Sequence, residues 1–552
     1  MTKRTLLLAL FFSAFAFIGC HKAEQQEYPK LPLLQVTMTP MQLDSIINDR
    51  DNKVSAFAVL IDSDGDTLFQ DHLTYIKTRG NTSFTEQKKS FVIKFPEKQK
   101  LFGLNKNRSF VLLANACDES FIRNAIGLDL ARAFGIPATR YAYLTLYING
   151  SYFGLYQMTN KIGIGKHTLN ITDLEDLNEH ANSKPLKEYE WYGSGRKKQA
   201  ILRKGVLFDN DPDDITGGYL LDNSGPISQY SKSISGFVSD AEDNIRIRSP
   251  KYASPQEVEY IARRYNEMEC AVLTTDGIHP RTGKHYSEYL DIESFARYYL
   301  INELLKNSDG GWASFMMYKD TDSIDPKIYA GPAWDFDRTL DNPKFQGKII
   351  IPYNDFHVNG KKGKTGLAHS GGLFYHLCKH EDFRQAVKNC YMNKISPICH
   401  SYITENPSDS LFSLLFHEAD SDNMIYQTRH SKDFETAIFR ATDFLRKRIE
   451  FLDWYYSSTE DERVLVTYTY NGKKNTLYYP LGKAIEAPQI EVLSNHAPVY
   501  ELYFSGTDSL VPDGTVFHSS QKLELRKREP TKREVQIRRI RKRLTKLGII
   551  KR

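Results

Sequence analysis

Cysteine is scarce: six residues in a chain of 552. At that frequency the fold cannot rest on a disulfide framework, and no two of the six have zinc-ligand spacing. Setting Cys20 apart leaves Cys117, Cys270, Cys378, Cys390 and Cys399, an odd number that cannot all pair. Buried free thiols are expected for most, with a Cys390–Cys399 bridge left open. Excess charge is also lacking, since a formal net charge of +5 over this length says little about partners. The acidic loop Asp62-Ser63-Asp64-Gly65-Asp66 lacks the sixth-position Gly and twelfth-position Glu of a calcium loop, and reads as a hairpin turn. Long apolar runs are confined to Leu6–Ile18, too short to span a membrane comfortably.

That run follows Lys3 and Arg4 and ends at Gly19-Cys20. A charged start, a short apolar core and a small residue before Cys resemble a bacterial lipoprotein signal. Residues 1–19 are then a signal peptide, Cys20 is the lipidated N-terminus, and 20–34 form a polar tether with Pro29 and Pro32. The alternative is an uncleaved anchor. Both place the rest outside the cytoplasm, in the cell envelope on its periplasmic or outer surface.

The body reads as alternating strands and helices. Met41–Asp49 reads as a short helix. Ser55–Ile61, Thr67–Lys77, Tyr75–Arg79, Ser90–Phe95, Arg140–Ile148 and Ser151–Met158 read as strands, the last two joined by the hairpin signal Asn149-Gly150. A helix is expected from Asp118 to Gly135, with Pro137 after it. Residues 169–214 are polar and read as an irregular insertion. Gly218–Asp222 reads as a buried strand. Glu257–Leu273, Leu373–Tyr391 and Lys432–Tyr456 read as helices. Composition changes near Ser457. Val464–Tyr470, Thr476–Tyr479, Gln489–Val492 and Val499–Phe504 alternate like strands, with Asn471-Gly472 as a turn. From Lys522 the chain carries fourteen Lys or Arg against three Glu. Ile537, Ile540, Leu544 and Leu547 give this tail a helical apolar stripe, which fits an anionic surface or a solvated tail.

The most informative stretch is Asp291–Asn342. A helix capped by Asp291 runs to about Asn307. A loop with Asp309 follows, then strands Trp312–Tyr318 and Lys327–Ala330, then Gly331-Pro332-Ala333-Trp334-Asp335-Phe336-Asp337. One acid in a loop after a helix and two more beyond a hairpin is the order of protein-kinase chemistry. A loop Asp orients the attacking hydroxyl and takes its proton, and a second Asp holds magnesium on the phosphates. Asp309 takes the first role, Asp335 the second, and Asp337 assists the metal. The plain alternative is that these acids shape turns.

These residues resemble the CotH family of spore-coat-protein-H-like atypical kinases. The likeness extends to Ile301-Asn302-Glu303-Leu304, Ser314-Phe315 and Tyr318-Lys319-Asp320. Earlier it includes Lys77-Thr78-Arg79-Gly80-Asn81-Thr82-Ser83, Lys88-Lys89-Ser90-Phe91, Leu101-Phe102-Gly103-Leu104, Leu112-Leu113-Ala114-Asn115, Arg123-Asn124 and Tyr147-Ile148-Asn149-Gly150 followed by Tyr156. It spans roughly residues 70 to 455. It implies ATP and Mg2+ as cofactors and a hydroxyl of a protein or glycan as acceptor. Arg79, Lys89, Lys94 and Arg123 become candidates for the nucleotide phosphates, with Gly218–Asp222 near the adenine. Ser314 occupies the place, five residues after the base, where ordinary kinases carry a metal-binding Asn. Where the family usually has Thr-Glu, this chain has Thr159-Asn160.

The expected fold is α+β: an atypical protein-kinase-like two-lobed unit over 35–456, its mostly β lobe ending near Tyr219. A small all-β domain over 460–520 and a basic tail over 521–552 follow. The expected activity is phosphate transfer from ATP to a hydroxyl by a secreted or lipid-anchored enzyme. Expected partners are ATP, the acceptor, the membrane through Cys20 and an anionic surface through the tail, with no nucleic acid. The alternative is a catalytically weak or inactive surface-binding protein on the same fold. A metal-dependent hydrolase fits least, because His357, His369, His376 and His380 lack ligand spacing near the acids.

Overall fold

Alternation of apolar and polar residues builds the first third of the protein. The computed structural model describes residues 30–80, 82–166, 168–182, 188–193, 201–223, 234–311, 313–342, 352–360, 372–426, 434–470, 473–485, 499–512 and 514–546. Within them β1 (Leu33–Thr37), β2 (Val54–Ile61), β3 (Thr67–Arg79), β4 (Ser90–Gln99), β5 (Asn107–Leu113), β6 (Tyr141–Ile148) and β7 (Ser151–Asn160) close a barrel in the order β1-β2-β3-β4-β5-β7-β6. All neighbours are antiparallel except β1 and β6, whose parallel pairing closes the ring. Inward positions such as Leu34, Ile76, Phe91, Ile93, Phe110, Leu144 and Met158 fill it. Helix α1 (Pro40–Asn48) starts in a Thr39/Gln42 capping box. The Asp62–Asp66 loop is a hairpin turn, with the Asp62 carboxylate accepting from the amides of Asp64 and Asp66.

The second sheet comprises β8 (Glu188–Gly193), β9 (Ile201–Val206), β10 (Tyr219–Asn223), β11 (Gly236–Val238), β12 (Asn244–Ser249), β13 (Phe315–Lys319) and β14 (Tyr329–Ala330), in the order β14-β13-β10-β12-β11-β9-β8. Helices α2 (Arg123–Ala133), α3 (Leu174–Ala181), α4 (Pro255–Leu273), α5 (Ile292–Leu304), α6 (Gly372–Leu377), α7 (Glu381–Cys390), α8 (Ser396–Glu405), α9 (Pro407–Tyr426) and α10 (Phe434–Ser457) accompany it. Together they bury the largest hydrophobic core of the molecule. The whole is a mixed helix-and-sheet architecture.

Several expectations are corrected here. The described part of residues 169–214 is not wholly irregular, since it supplies α3, β8 and β9. The helix expected from Asp118 begins at Arg123, because Asp118 is folded back on Ser120 and Arg123. Leu373–Tyr391 breaks into two helices, and α8 and α9 were not foreseen. No disulfide forms between Cys390 and Cys399; both thiols are free and buried. The basic tail does not begin at 521. Gln521–Arg528 is β18, a central strand between β15 (Arg463–Tyr470) and β17 (Val499–Phe504), with β16 (Lys473–Pro480) at the edge. Leu523 and Leu525 point into the core of that sheet while Glu524 between them points out. Helix α11 (Lys532–Lys546) follows. The Gln489–Val492 strand, the Asn471-Gly472 turn, Trp312, His369 and the N-terminal segment with Cys20 lie outside the described residues. Among the described residues no helix is long and apolar enough to cross a membrane.

Candidate active site

The site is assembled by two loops laced to each other. Helix α5 begins at Asp291, whose carboxylate accepts from the Ser294 amide. It ends at Leu304, and the chain turns through Lys306, a left-handed residue. Leu340 N donates to Leu305 O at 2.9 Å, and Ser308 N donates to Arg338 O at 3.3 Å. The loop bearing Asp309 and the loop bearing Asp335 and Asp337 are therefore tied to each other.

Helix α2 anchors the second loop. Asn124 Oδ1 accepts from the Phe336 amide at 2.8 Å. Gly127 lets Phe336 lie against the helix backbone, because a Cβ there would sit 2.2 Å from its ring. Arg123, 1% exposed, ion-pairs with Asp118 and donates to Thr339 O at 3.0 Å and Leu340 O at 3.3 Å. Its guanidinium is committed, so Arg123 fixes the loop rather than reaching a phosphate.

Asp309 accepts from Arg338 Nη1 at 3.1 Å, and its amide donates to Asn307 Oδ1 at 3.1 Å. Burial, reinforced by the Asp335 charge and opposed by Arg338, pushes its carboxyl up to about 6. Asp337 is raised well above the ordinary carboxyl value by burial and then by Asp335 and Asp309. Asp335 accepts from Ser314 Oγ at 2.9 Å. Ser314 and Asp335 are both left-handed, at φ 52° and 68°. Arg79, at the end of β3, faces this cluster. Burial lowers it to about 10, against the pull of Asp335. Its guanidinium lies 5.5 Å from the Trp334 ring, and that of Arg248, from β12, lies 5.6 Å from the same ring.

Beside them a cavity of about 490 Å³ opens between the end of β7 and the second sheet, lined in part by Lys161, Glu175, Leu220, Arg246, Arg248 and Lys251. Burial lowers Lys161, Glu175 opposes this, and the cations Arg248, Lys251 and Lys77 add to the lowering. Arg246 is lowered by burial, with Asp222 opposing and Arg248 and Arg50 reinforcing. The lining is mixed in charge, since Asp173, Glu175, Asp176 and Glu179 stand opposite these cations and Arg248 is ion-paired with Asp222 at 2.7 Å. A small apolar group of Leu169, Leu220 and Met316, with Ile162, Ile164 and Trp334 against it, adjoins the cavity.

The structure thus brings together Asp309, Asp335, Asp337, Ser314 and Arg79. Two other sequence candidates are occupied elsewhere. Lys89 donates to Phe84 O at 2.5 Å, and Lys94 lies over the Tyr75 ring on β3. Lys88, next to Lys89 and passed over by sequence reasoning, is the buried lysine. It is 3% exposed, ion-paired with Asp422 of α9 at 2.5 Å, and donates to Leu155 O. Gly154 makes room for it, since a Cβ there would meet the Asp422 carboxylate at 2.2 Å. Asn160 closes on the Asn105 backbone in both directions, at 3.0 and 2.9 Å. Arg246 and Arg248 also escaped the sequence reading, because nothing in β12 links it to Asp335 before the chain is folded.

Magnesium suits this donor set. Burial and then the Asp335 charge raise both Asp309 and Asp337, and a divalent cation offsets that repulsion. Among the described residues no three His, Cys, Asp or Glu side chains form a ready cage. Magnesium held by one or two carboxylates plus phosphate oxygens and water needs none.

A family model described as CotH kinase protein matches residues 76–452. The match includes every residue of the acid cluster and stops before the four-stranded sheet. No curated protein matches the chain.

Proposed function

Because the chain belongs to the CotH kinase family, we propose that it is an ATP-dependent phosphotransferase acting on a hydroxyl of a protein or glycan. The observation that carries this reading is the meeting of Asp309, Asp335 and Asp337 on two laced loops, with Arg79 facing them. In this reading the barrel is one lobe, the second sheet and its helices are the other, and the nucleotide lies between them. The four-stranded sheet is a small β domain of its own.

Arg79 orients the polyphosphate, with Lys161 and Arg246 neutralising charge along the cavity, while Arg248 is held by its ion pair with Asp222. Asp335, Asp337 and Ser314 would hold magnesium, which supplies charge neutralisation on the phosphate oxygens. Asp309, kept near neutrality in its proton affinity, accepts the acceptor's hydroxyl proton as the new O–P bond forms. The bond from the γ-phosphorus to the leaving oxygen breaks and ADP departs with that oxygen. Arg338 holds Asp309 in line. Most of the rate comes from positioning and from charge already arranged.

Lipid at Cys20 would tie the enzyme to the cell envelope. Helix α11, with Ile537 and Ile540 exposed among Arg and Lys, would rest on an anionic surface. One observation favours a non-catalytic binding protein instead: Asn160 stands where the family usually has a charged partner, and its amide is spent on Asn105. Calorimetry with ATP separates the two readings. Binding that needs magnesium supports the kinase; no binding at millimolar ATP and magnesium overturns it.

A further inference from the structure

The four-stranded sheet beyond the family match is joined to the Asp309 loop by an unbroken run of contacts through residues 353–358. This segment, bent at 353–355, runs between the two, and its successive side chains find partners on opposite sides. Asn354 and Phe356 face the sheet. Tyr478 N, on β16, donates to Asn354 O at 2.9 Å, and Asn354 Nδ2 donates to Tyr478 O at 3.2 Å. The Phe356 ring packs 5.6 Å from Tyr478 and 4.6 Å from Tyr455.

Asp355 and His357 face the other way. Asp355 takes the buried ammonium of Lys306, the left-handed residue that turns the chain out of α5. His357 Nε2 lies 2.5 Å from Asn307 O. A carbonyl can only accept, so Nε2 carries the proton. Asn307 Oδ1 in turn holds the Asp309 amide. Glu303 fixes the segment from beneath, accepting from the amides of His357 and Val358 at 3.0 and 2.7 Å. Arg448 bridges Asp355 O at 2.8 Å and Glu303 O at 2.6 Å. Burial opposes the charge on Glu303, but His357, Lys306 and Arg448 outweigh it. A buried charged network gives little net stability over apolar packing, but it holds a register.

We infer that Asn354 is a positioning residue for Asp309 and that the four-stranded sheet is the support through which it acts. The inference rests on the reading of Asp309 as the base. The sheet is part of the working enzyme, because the segment that seats the base loop takes its own seat on β16.

Asn354→Ala in the full-length chain tests this, with Tyr478→Phe as a control that keeps both backbone contacts. Loss of one buried clamp should speed hydrogen exchange of amides 305–311 about tenfold. The value of kcat should fall by a similar factor, while Mg-ATP affinity stays within about twofold, since Asp335 and Asp337 are untouched. Tyr478→Phe should leave all three unchanged. If Asn354→Ala does not fold, Asn354→Asp keeps the volume, removes the donor and is read in the same way. Faster exchange confined to β16, with residues 305–311 as protected as before, overturns the inference. A wild-type protein that transfers no phosphate overturns the base assignment instead, and the exchange measurement still decides the coupling.

Discussion

Asp335→Asn changes one charge and little else. Position 335 is left-handed at φ 68°, a conformation Asn adopts as readily as Asp, so the backbone bears no new strain. The Ser314 hydroxyl, 2.9 Å from Oδ2, can donate to the amide oxygen in the same place. What disappears is one of three neighbouring carboxyl groups and the acid facing Arg79. At about 4 Å and an effective dielectric near 20, a pair of unit charges is worth roughly 4 kcal/mol. Losing one such contact to a bound cation, partly offset by water, weakens magnesium-dependent ATP binding by about 2–3 kcal/mol, or roughly a hundredfold. Turnover falls by at least about a hundredfold, because charge stabilisation dominates phosphoryl transfer. Stability changes little, since relief of carboxylate repulsion offsets the loss of a partner for Arg79. The assay is ATP affinity by calorimetry across a magnesium titration, for wild type, Asp335→Asn and Asp309→Asn. Asp309→Asn keeps Mg-ATP affinity and loses turnover. Identical magnesium dependence in wild type and Asp335→Asn refutes the metal assignment.

Further outcomes follow from the same geometry. The Asp309 carboxyl lies near 3.8 unfolded and about 6 folded, so the folded state holds the proton more tightly. Its contribution is fully present below about pH 4 and lost as pH rises through about 6, on the order of 3 kcal/mol at about 1.4 kcal/mol per pH unit. Metal-free protein should therefore lose stability from pH 4 to 6 in chemical denaturation, and Asp309→Asn should flatten that slope. Lys88→Ala strands the Asp422 carboxylate in a buried site and should cost about 3–5 kcal/mol, whereas Lys88→Met with Asp422→Leu together should cost much less. Vesicles containing anionic phospholipid should retain the protein at low salt through α11, and vesicles of neutral phosphatidylcholine should not. Replacing Arg538, Arg539 and Arg541 with Gln should abolish that difference.

Local signals carried much of this architecture. Asn149-Gly150 announced the β6–β7 hairpin through turn chemistry, and Asp291 announced α5 through its cap. The acids of the site were legible because a short hairpin fixes their order along the chain. Pairings between distant residues were not. Closure of the barrel joins β1 to β6 across more than a hundred residues, and no local pattern specifies it. Strands β8 and β18 were hidden by charge: Gln521–Arg528 reads as a basic tail until Leu523 and Leu525 are seen alternating into a core. Arg123 looked like a phosphate ligand because its partners Thr339 and Leu340 lie over two hundred residues away. The same distance concealed Lys88 behind its neighbour Lys89, since only α9 distinguishes them.

Transfer of the γ-phosphate tests the central claim most directly. ATP labelled at the γ position, magnesium and an envelope extract are incubated with wild type and with Asp309→Asn. The account predicts label on a protein or glycan hydroxyl with wild type and its loss, by about a hundredfold or more, with Asp309→Asn. Label that stays on ATP with both proteins, or appears equally with both, would contradict it.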